Sequence, residues 1–102
     1  MKDTPEIQKL NRLMHEPARL QTLTHLAVVK KADFTWLLGQ TGLSRGNLSV
    51  QMSKLADAGV VKVVKRFNNN RPQTLYELTK EGRKQLRAYK ECMQNILDSL
   101  PD

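Results

Sequence analysis

Apolar positions along the chain follow two periods, one helical and one extended. Leu48, Met52 and Leu55 recur at spacings of four and three, which places them on one face of a helix over 44–58. Ser44 suits its N-cap, where a hydroxyl accepts from a free N–H of the first turn. Gly59 suits the left-handed residue that ends a helix. The other positions, Arg45, Gly46, Asn47, Ser49, Val50, Gln51, Ser53 and Lys54, are small, polar or basic, and no acid appears before Asp57. A helix meant only for solvent would mix Glu with Lys. This face presents the groups that a DNA major groove accepts.

After Gly59 the period shortens. Val60–Phe67 is rich in β-branched residues and reads as a strand, and Gln73–Leu78 reads as its return. The intervening 68–72 reads as a loop, because Asn tolerates left-handed backbone and Pro cannot donate to a ladder. Lys65 and Arg66 lie on the approach, and Asn69 and Arg71 at the tip. Alone, such a hairpin is equally an ordinary solvated element. Directly behind the 44–58 helix, the segment 60–78 has the form of a wing, and Arg71 suits the negative potential of a minor groove.

The remaining pattern is helical. Thr4 and Pro5 suit the start of a helix over 5–14, through Ile7, Leu10, Leu13 and Met14. Pro17 opens a second helix, with Leu20, Leu23, Leu26 and Ala27 as its inner stripe and Lys30 and Lys31 at its negative end. Ala32-Asp33-Phe34 allows only a bridge of strand. Thr35–Thr41 is a third helix, with Phe34, Leu37 and Leu38 inward and Gly42 as its stop. A tight Gly-containing turn between two helices is the helix-turn-helix unit. Thr79 caps a last helix over 80–100. Its Leu86, Tyr89, Met93, Ile96 and Leu100 are spaced three, four, three, four. That stripe either packs on its own domain or forms a dimer seam with Ile7, Leu10 and Met14. The second reading is favoured, because the stripe runs past the helix-turn-helix and would otherwise face water.

Length and charge narrow the choice. A chain of 102 residues builds one modest core, so 1–102 is read as a single domain. Between Arg45 and Lys90 stand 11 basic residues and 3 acidic ones, so the net charge of +7 lies in the recognition and wing half. Concentrated positive charge supplies sequence-independent nucleic-acid affinity, although an anionic membrane surface would attract it too. No apolar run reaches membrane-span length, and Met1–Glu6 has no signal-peptide core. With one cysteine, Cys92, there is no intrachain disulfide framework, and a cytoplasmic protein in a reducing compartment is expected. His15, His25 and Cys92 show no metal-ligand spacing, so no metal or other cofactor is expected. Cys92 reads as a small seam residue or a redox thiol. Trp36 reads as a cover on a neighbouring helix or the wall of a ligand cleft. No nucleophile elbow, phosphate loop or paired carboxylates point to an enzyme. Asp33, Glu77 and Glu81 read as capping or surface acids.

Taken in order, these segments resemble the winged helix-turn-helix transcription regulators of the MarR/ArsR type, in particular the short stand-alone ones, over about Leu10–Leu86. The landmarks are His15–Leu20, Phe34–Leu38, Leu43–Ser49, Leu55–Val61 and Arg71–Arg83. The resemblance implies a mainly α fold with a small β-hairpin. It implies a homodimer whose recognition helices enter successive major grooves of a palindromic double-stranded DNA operator, held by terminal helices 5–14 and 80–100. The paired cysteines of arsenic- and metal-sensing relatives are missing here, and Trp36 stands where many relatives carry an acidic or polar residue. Ligand pockets vary across the family, which leaves a small-molecule effector open.

The expected base contacts are Arg45, Asn47, Ser49, Val50 and Ser53. The expected backbone and wing contacts are Ser44, Gln51, Lys54, Lys65, Arg66, Asn69 and Arg71. The expected dimer seam is Ile7, Leu10, Met14, Leu86, Tyr89, Met93, Ile96 and Leu100. The alternative is a winged-helix module that binds protein or RNA without reading a DNA sequence.

Overall fold

The computed structural model describes residues 10–102. Helix α1 (Pro17–Val28) begins with proline in its first turn, and the Glu16 carboxylate accepts from Arg19 N at 2.9 Å. Its covered face is Ala18, Thr22, Leu23 and Leu26. Leu20 packs half-buried against the core, and Ala27, expected on the same face, is exposed. Strand β1 (Ala32–Asp33) leads directly into α2 (Phe34–Thr41), capped by the Asp33 carboxylate on Trp36 N. Gly42 ends α2 in the left-handed region, with φ 71° and its N–H on Leu38 O. The turn is fixed from α1 as well, since Gln21 Nε2 donates to Thr41 O at 3.0 Å. Helix α3 (Arg45–Asp57) follows, with Ser44 as its N-cap.

Strands β2 (Val61–Asn68) and β3 (Arg71–Leu78) pair antiparallel from Val61↔Leu78 to Asn68↔Arg71. β1 adds to the other edge of β3, giving the order β1-β3-β2. The expected five-residue loop is only two residues long. Asn69 and Asn70 have φ 54° and 64°, the left-handed pair that a type I′ hairpin turn requires. Pro72 therefore belongs to a strand. Counting outward from a two-residue turn, Phe67↔Pro72 is a pair that exchanges no ladder bonds, so the missing N–H costs nothing.

Helix α4 (Lys80–Asp98) starts on Thr79, whose hydroxyl accepts from Gly82 N at 2.8 Å and donates to Gly59 O at 2.7 Å. Thr79 N also donates to Val60 O at 3.0 Å. These bonds lock the start of α4 onto the exit of α3. Gly82 lies so close to Val60 that any Cβ there would overlap the Val60 carbonyl oxygen. The helix ends at Asp98, two residues earlier than the apolar spacing implied, so Leu100 falls outside it.

The core joins Leu23 and Leu26 of α1, Leu37 of α2, Leu48, Met52 and Leu55 of α3, Val60 just before β2, and Val61, Tyr76 and Leu78 of the sheet. Met14 and Tyr89 complete it. Of the expected first helix, residues 5–9, including Ile7, lie outside the described residues. Residues 10–14 form a bend and a turn, because the Asn11 carbonyl and side chain accept from His15 N and Met14 N. A side chain that bonds locally in this way competes with helix. The turn is tied to α4 by His15 Nδ1 to Tyr89 Oη at 2.8 Å.

Candidate nucleic-acid interface

The interface starts from the two faces of α3. Leu48, Gln51, Met52 and Leu55 are buried, and Asn47, Ser49, Val50, Ser53 and Lys54 are exposed. Ser44 Oγ accepts from Asn47 N at 3.0 Å, which leaves the outer face of the first turn free. Val50 is 50% exposed on that face, a methyl-bearing surface among polar neighbours. Gln51, expected to touch the DNA backbone, is 8% exposed. Its position flanks the Leu48–Met52–Leu55 stripe, so the helical period carries it inward. Its Nε2 donates to Asn47 Oδ1 at 2.9 Å, and this bond orients the exposed Asn47 amide one turn earlier.

The first residue of α3 points elsewhere. The Arg45 guanidinium lies over the Phe34 ring, 5.7 Å from its centroid, a cation–π contact that holds a long side chain in one place. Arg45 thereby lines an open cleft of about 850 Å³ between the start of α2, the start of α3 and the wing. Phe34, Arg71, Gln73 and Tyr76 lie on the same cleft. Phe34 and Tyr76 are tilted rings 6.4 Å apart, and burial pushes the Tyr76 phenol above its usual pKa, so it stays neutral.

The wing is joined to the helix-turn-helix by a relay of three side chains. Arg66 Nε donates to Gln73 Oε1 at 3.0 Å, and Gln73 Nε2 donates to Asp33 Oδ2 at 3.2 Å. The other oxygen of Asp33 caps α2, accepting from Trp36 N at 2.7 Å. Lys62, Lys65, Arg66 and Arg71 all lie on the hairpin, and no acidic residue stands between Asp57 and Glu77. A polar recognition helix and a cationic two-stranded wing thus flank one cleft. The winged helix DNA-binding domain family matches residues 18–97.

The chain belongs to the winged-helix DNA-binding domain family. Solved structures agree on the fold. A transcriptional regulator homologue from Pyrococcus horikoshii OT3 is 27% identical, with a TM-score of 0.88 and full coverage of both chains. A MarR-family regulator from Porphyromonas gingivalis W83 is 19% identical over 87% of this chain and 86% of its own, with a TM-score of 0.67. BpsR of Bordetella bronchiseptica, whose DNA binding is regulated by 6-hydroxynicotinic acid, is 14% identical over 96% of this chain and 70% of its own, at 0.69. The fold is that of MarR-family transcriptional regulators. No curated protein gave a significant match to the sequence.

The winged helix carries a second, apolar surface between α1 and α4. A groove of about 620 Å³ there has Leu20, Ala27, Val28, Leu86, Met93 and Leu97 along it, and Arg83, Arg87 and Lys90 at its rim. Val28 is 83% exposed and Leu97 53% exposed. Two residues expected at a seam between subunits are instead interior to this chain. Met14 packs fully in the core, and Tyr89 is buried against it with its phenol on His15. Burial, with the Cys92 thiol as a lesser neighbour, raises the Tyr89 pKa. Leu10, Leu86 and Met93 pack half-buried against the same core, Ile96 is half-buried and Leu100 is exposed.

Sequence reasoning missed Phe34 and Gln73 as parts of the cleft beside the wing, and read Asp33 as a capping or surface acid. Asp33 and Gln73 are 40 residues apart, and no local pattern couples them. Trp36 meets the His25 ring edge-on at 6.0 Å and so covers α1. Cys92 is half-buried on α4. Among the described residues, no group of three His, Cys, Asp or Glu side chains could hold a metal ion, and no helix is long and apolar enough to cross a membrane.

Proposed function

We propose that this winged helix is a homodimeric, sequence-specific transcription regulator that binds a palindromic double-stranded operator. One observation carries the reading. The start of α3 and the cationic wing border a single cleft lined by Arg45 and Arg71, and the exposed face of α3 carries no acid before Asp57. In the major groove, Asn47, Ser49, Val50 and Ser53 meet base edges, with Val50 suited to a thymine methyl. Arg45, held by Phe34, and Arg71 grip the sugar–phosphate strand that passes between helix and wing. Lys54, Lys65 and Arg66 add phosphate contacts, and Asn69 leads the wing tip.

The dimer follows from the size of the read. One recognition helix covers a few base pairs, which is little discrimination against a genome. Two copies related by a twofold axis place two helices about 34 Å apart on one face of DNA. The α1–α4 groove is the surface for the second copy, because its apolar residues are exposed in a single chain.

The test is selection of bound DNA from a random duplex pool, followed by titration of the recovered sequence against a scrambled one. The wild type is expected to prefer a twofold-symmetric sequence. Asn47→Ala should lose roughly 1–3 kcal/mol of that preference. Recovery of no preferred sequence, or full discrimination by Asn47→Ala, would refute the assignment.

A further inference from the structure

Phe67 is 75% exposed on the most cationic element of the chain. Pro72 stands directly across from it on β3. The pair exchanges no ladder bonds, and in such pairs the Cα atoms approach to about 4.5 Å. Ring and pyrrolidine therefore form one apolar plate, roughly 7 Å behind the Asn69-Asn70 turn at about 3.4 Å per residue. Lys65 shares its face of the hairpin, Arg66 and Arg71 project from the opposite face, and along the chain the nearest acids are Asp57 and Glu77. The exposed apolar groove belongs to α1 and α4, so the plate is no extension of that surface. An apolar plate on one face of a hairpin that carries cations on both faces matches a polyanion that also offers apolar surface, as the sugar walls and base edges of DNA do.

We propose that Phe67 and Pro72 form a wedge that enters the minor groove behind the wing tip, partly opens a base step and bends the duplex. The wedge rests on the DNA-binding reading above and deepens it. The end of a two-residue hairpin is one strand spacing across, about 4.8 Å, against a minor groove about 6 Å wide. Cations at its rim draw the hairpin in, and inserted apolar side chains kink DNA. Pyrimidine–purine steps are the easiest to unstack, so the wedge adds sequence preference at a position where no hydrogen bond reads a base. The Arg66–Gln73–Asp33 relay gives the wing a fixed direction along which to insert.

The experiment uses the full chain and the duplex recovered by selection, labelled at both ends for energy transfer, with affinity measured across salt concentrations. The wild type is expected to bring the ends together. Phe67→Ala should bind roughly tenfold more weakly, leave the duplex straighter, and keep the salt slope and the thermal midpoint of the wild type. Phe67→Trp should restore both bend and affinity. Arg71→Ala should behave differently, lowering the salt slope by about 1. Wild-type bend and affinity in Phe67→Ala would overturn the wedge and leave DNA binding standing. A Phe67→Ala protein that loses salt slope along with affinity would also overturn it, since the effect would then come from the neighbouring cations. A wild type that binds no duplex would overturn the DNA-binding reading, and the wedge with it.

Discussion

Helices α3 and α4 each bury one face, and the surfaces they leave outside differ in kind. Outside α3 lie Asn47, Ser49, Val50, Ser53 and Lys54, with a hydrogen-bonding group or charge on all but one. Beside α4 the uncovered surface holds Leu97, the partly covered Leu86 and Met93, and Val28 from α1. Water satisfies the first surface at little cost, and an apolar partner would satisfy it badly. For the second the preference reverses, at about 25 cal/mol for each Å² of apolar area covered. Two occupants of opposite chemistry are therefore called for by one small domain. In the function proposed above, the polyanion goes to α3 and the wing, and the same groove of a second copy of the chain goes to α1 and α4.

The largest expected effect breaks the comparison at its apolar side. Leu97→Glu places a carboxylate on the exposed part of the groove. In a single chain the charge stays in water, so folding should be unaffected. In a dimer it would be desolvated without a partner, which costs several kcal/mol. The variant should sediment as a folded monomer, and operator affinity should fall by at least about a hundredfold toward the non-specific level. A Leu97→Glu protein that stays dimeric would move the interface away from this groove. A wild type that sediments as a monomer at micromolar concentration, with operator binding intact, would remove the dimer.

A smaller effect is expected at the joint between the two regions. Gly82→Ala forces a methyl group against the Val60 carbonyl, where backbone meets backbone and no flexible side chain can give way. Either α4 moves off Val60 or the strand start shifts, and the Thr79 bonds to Gly59 O and Val60 O suffer in both cases. A loss of about 1–3 kcal/mol is expected, the usual scale for overpacking. It should show as a lower thermal midpoint. DNA binding and dimerisation should then weaken together, because both depend on how α3 and α4 are joined. If only one weakens, the two regions are mechanically independent.

What the sequence disclosed follows from how local each determinant is. The caps at Ser44 and Thr79 and the stop at Gly42 act within one turn, and all three stand where the sequence put them. The α3 stripe was legible for the same reason, since three leucine-sized side chains at helical spacing need no information from elsewhere. The wing was read too short, because proline is a poor strand residue except at a position without ladder bonds, and that register is set by the turn. Met14 and Tyr89 were assigned to a partner subunit because periodicity reveals an apolar face without saying which chain covers it. Their partners, Asn11 with Met14 and His15 with Tyr89, are specific contacts that no period encodes. Gln51 illustrates the remaining difficulty. A polar residue flanking an apolar stripe lies at the boundary of exposure, and only the packed structure places it inside.

The smallest expected effect sharpens the polar side. Gln73→Ala cuts the relay between Arg66 and Asp33 without removing either charge. Arg66 then keeps its cation but loses the acceptor that directs its Nε, and the wing loses one of its ties to α2. Exposed hydrogen bonds of this kind contribute about 0.5–1.5 kcal/mol, and the cation continues to attract phosphate whichever way it points. Affinity should therefore fall only a few-fold, equally for operator and scrambled DNA, with the thermal midpoint nearly unchanged. Arg66→Ala is the reference, because it removes the charge and should lower the salt slope by about 1. The salt slope of Gln73→Ala should stay close to the wild-type value if the relay only aims Arg66. A slope as low as that of Arg66→Ala would mean that the unaimed arginine no longer reaches a phosphate, which makes Gln73 and Asp33 part of the phosphate contact itself. Wild-type affinity in Gln73→Ala would mean that the β1–β3 pairing and the hairpin register hold the wing without help.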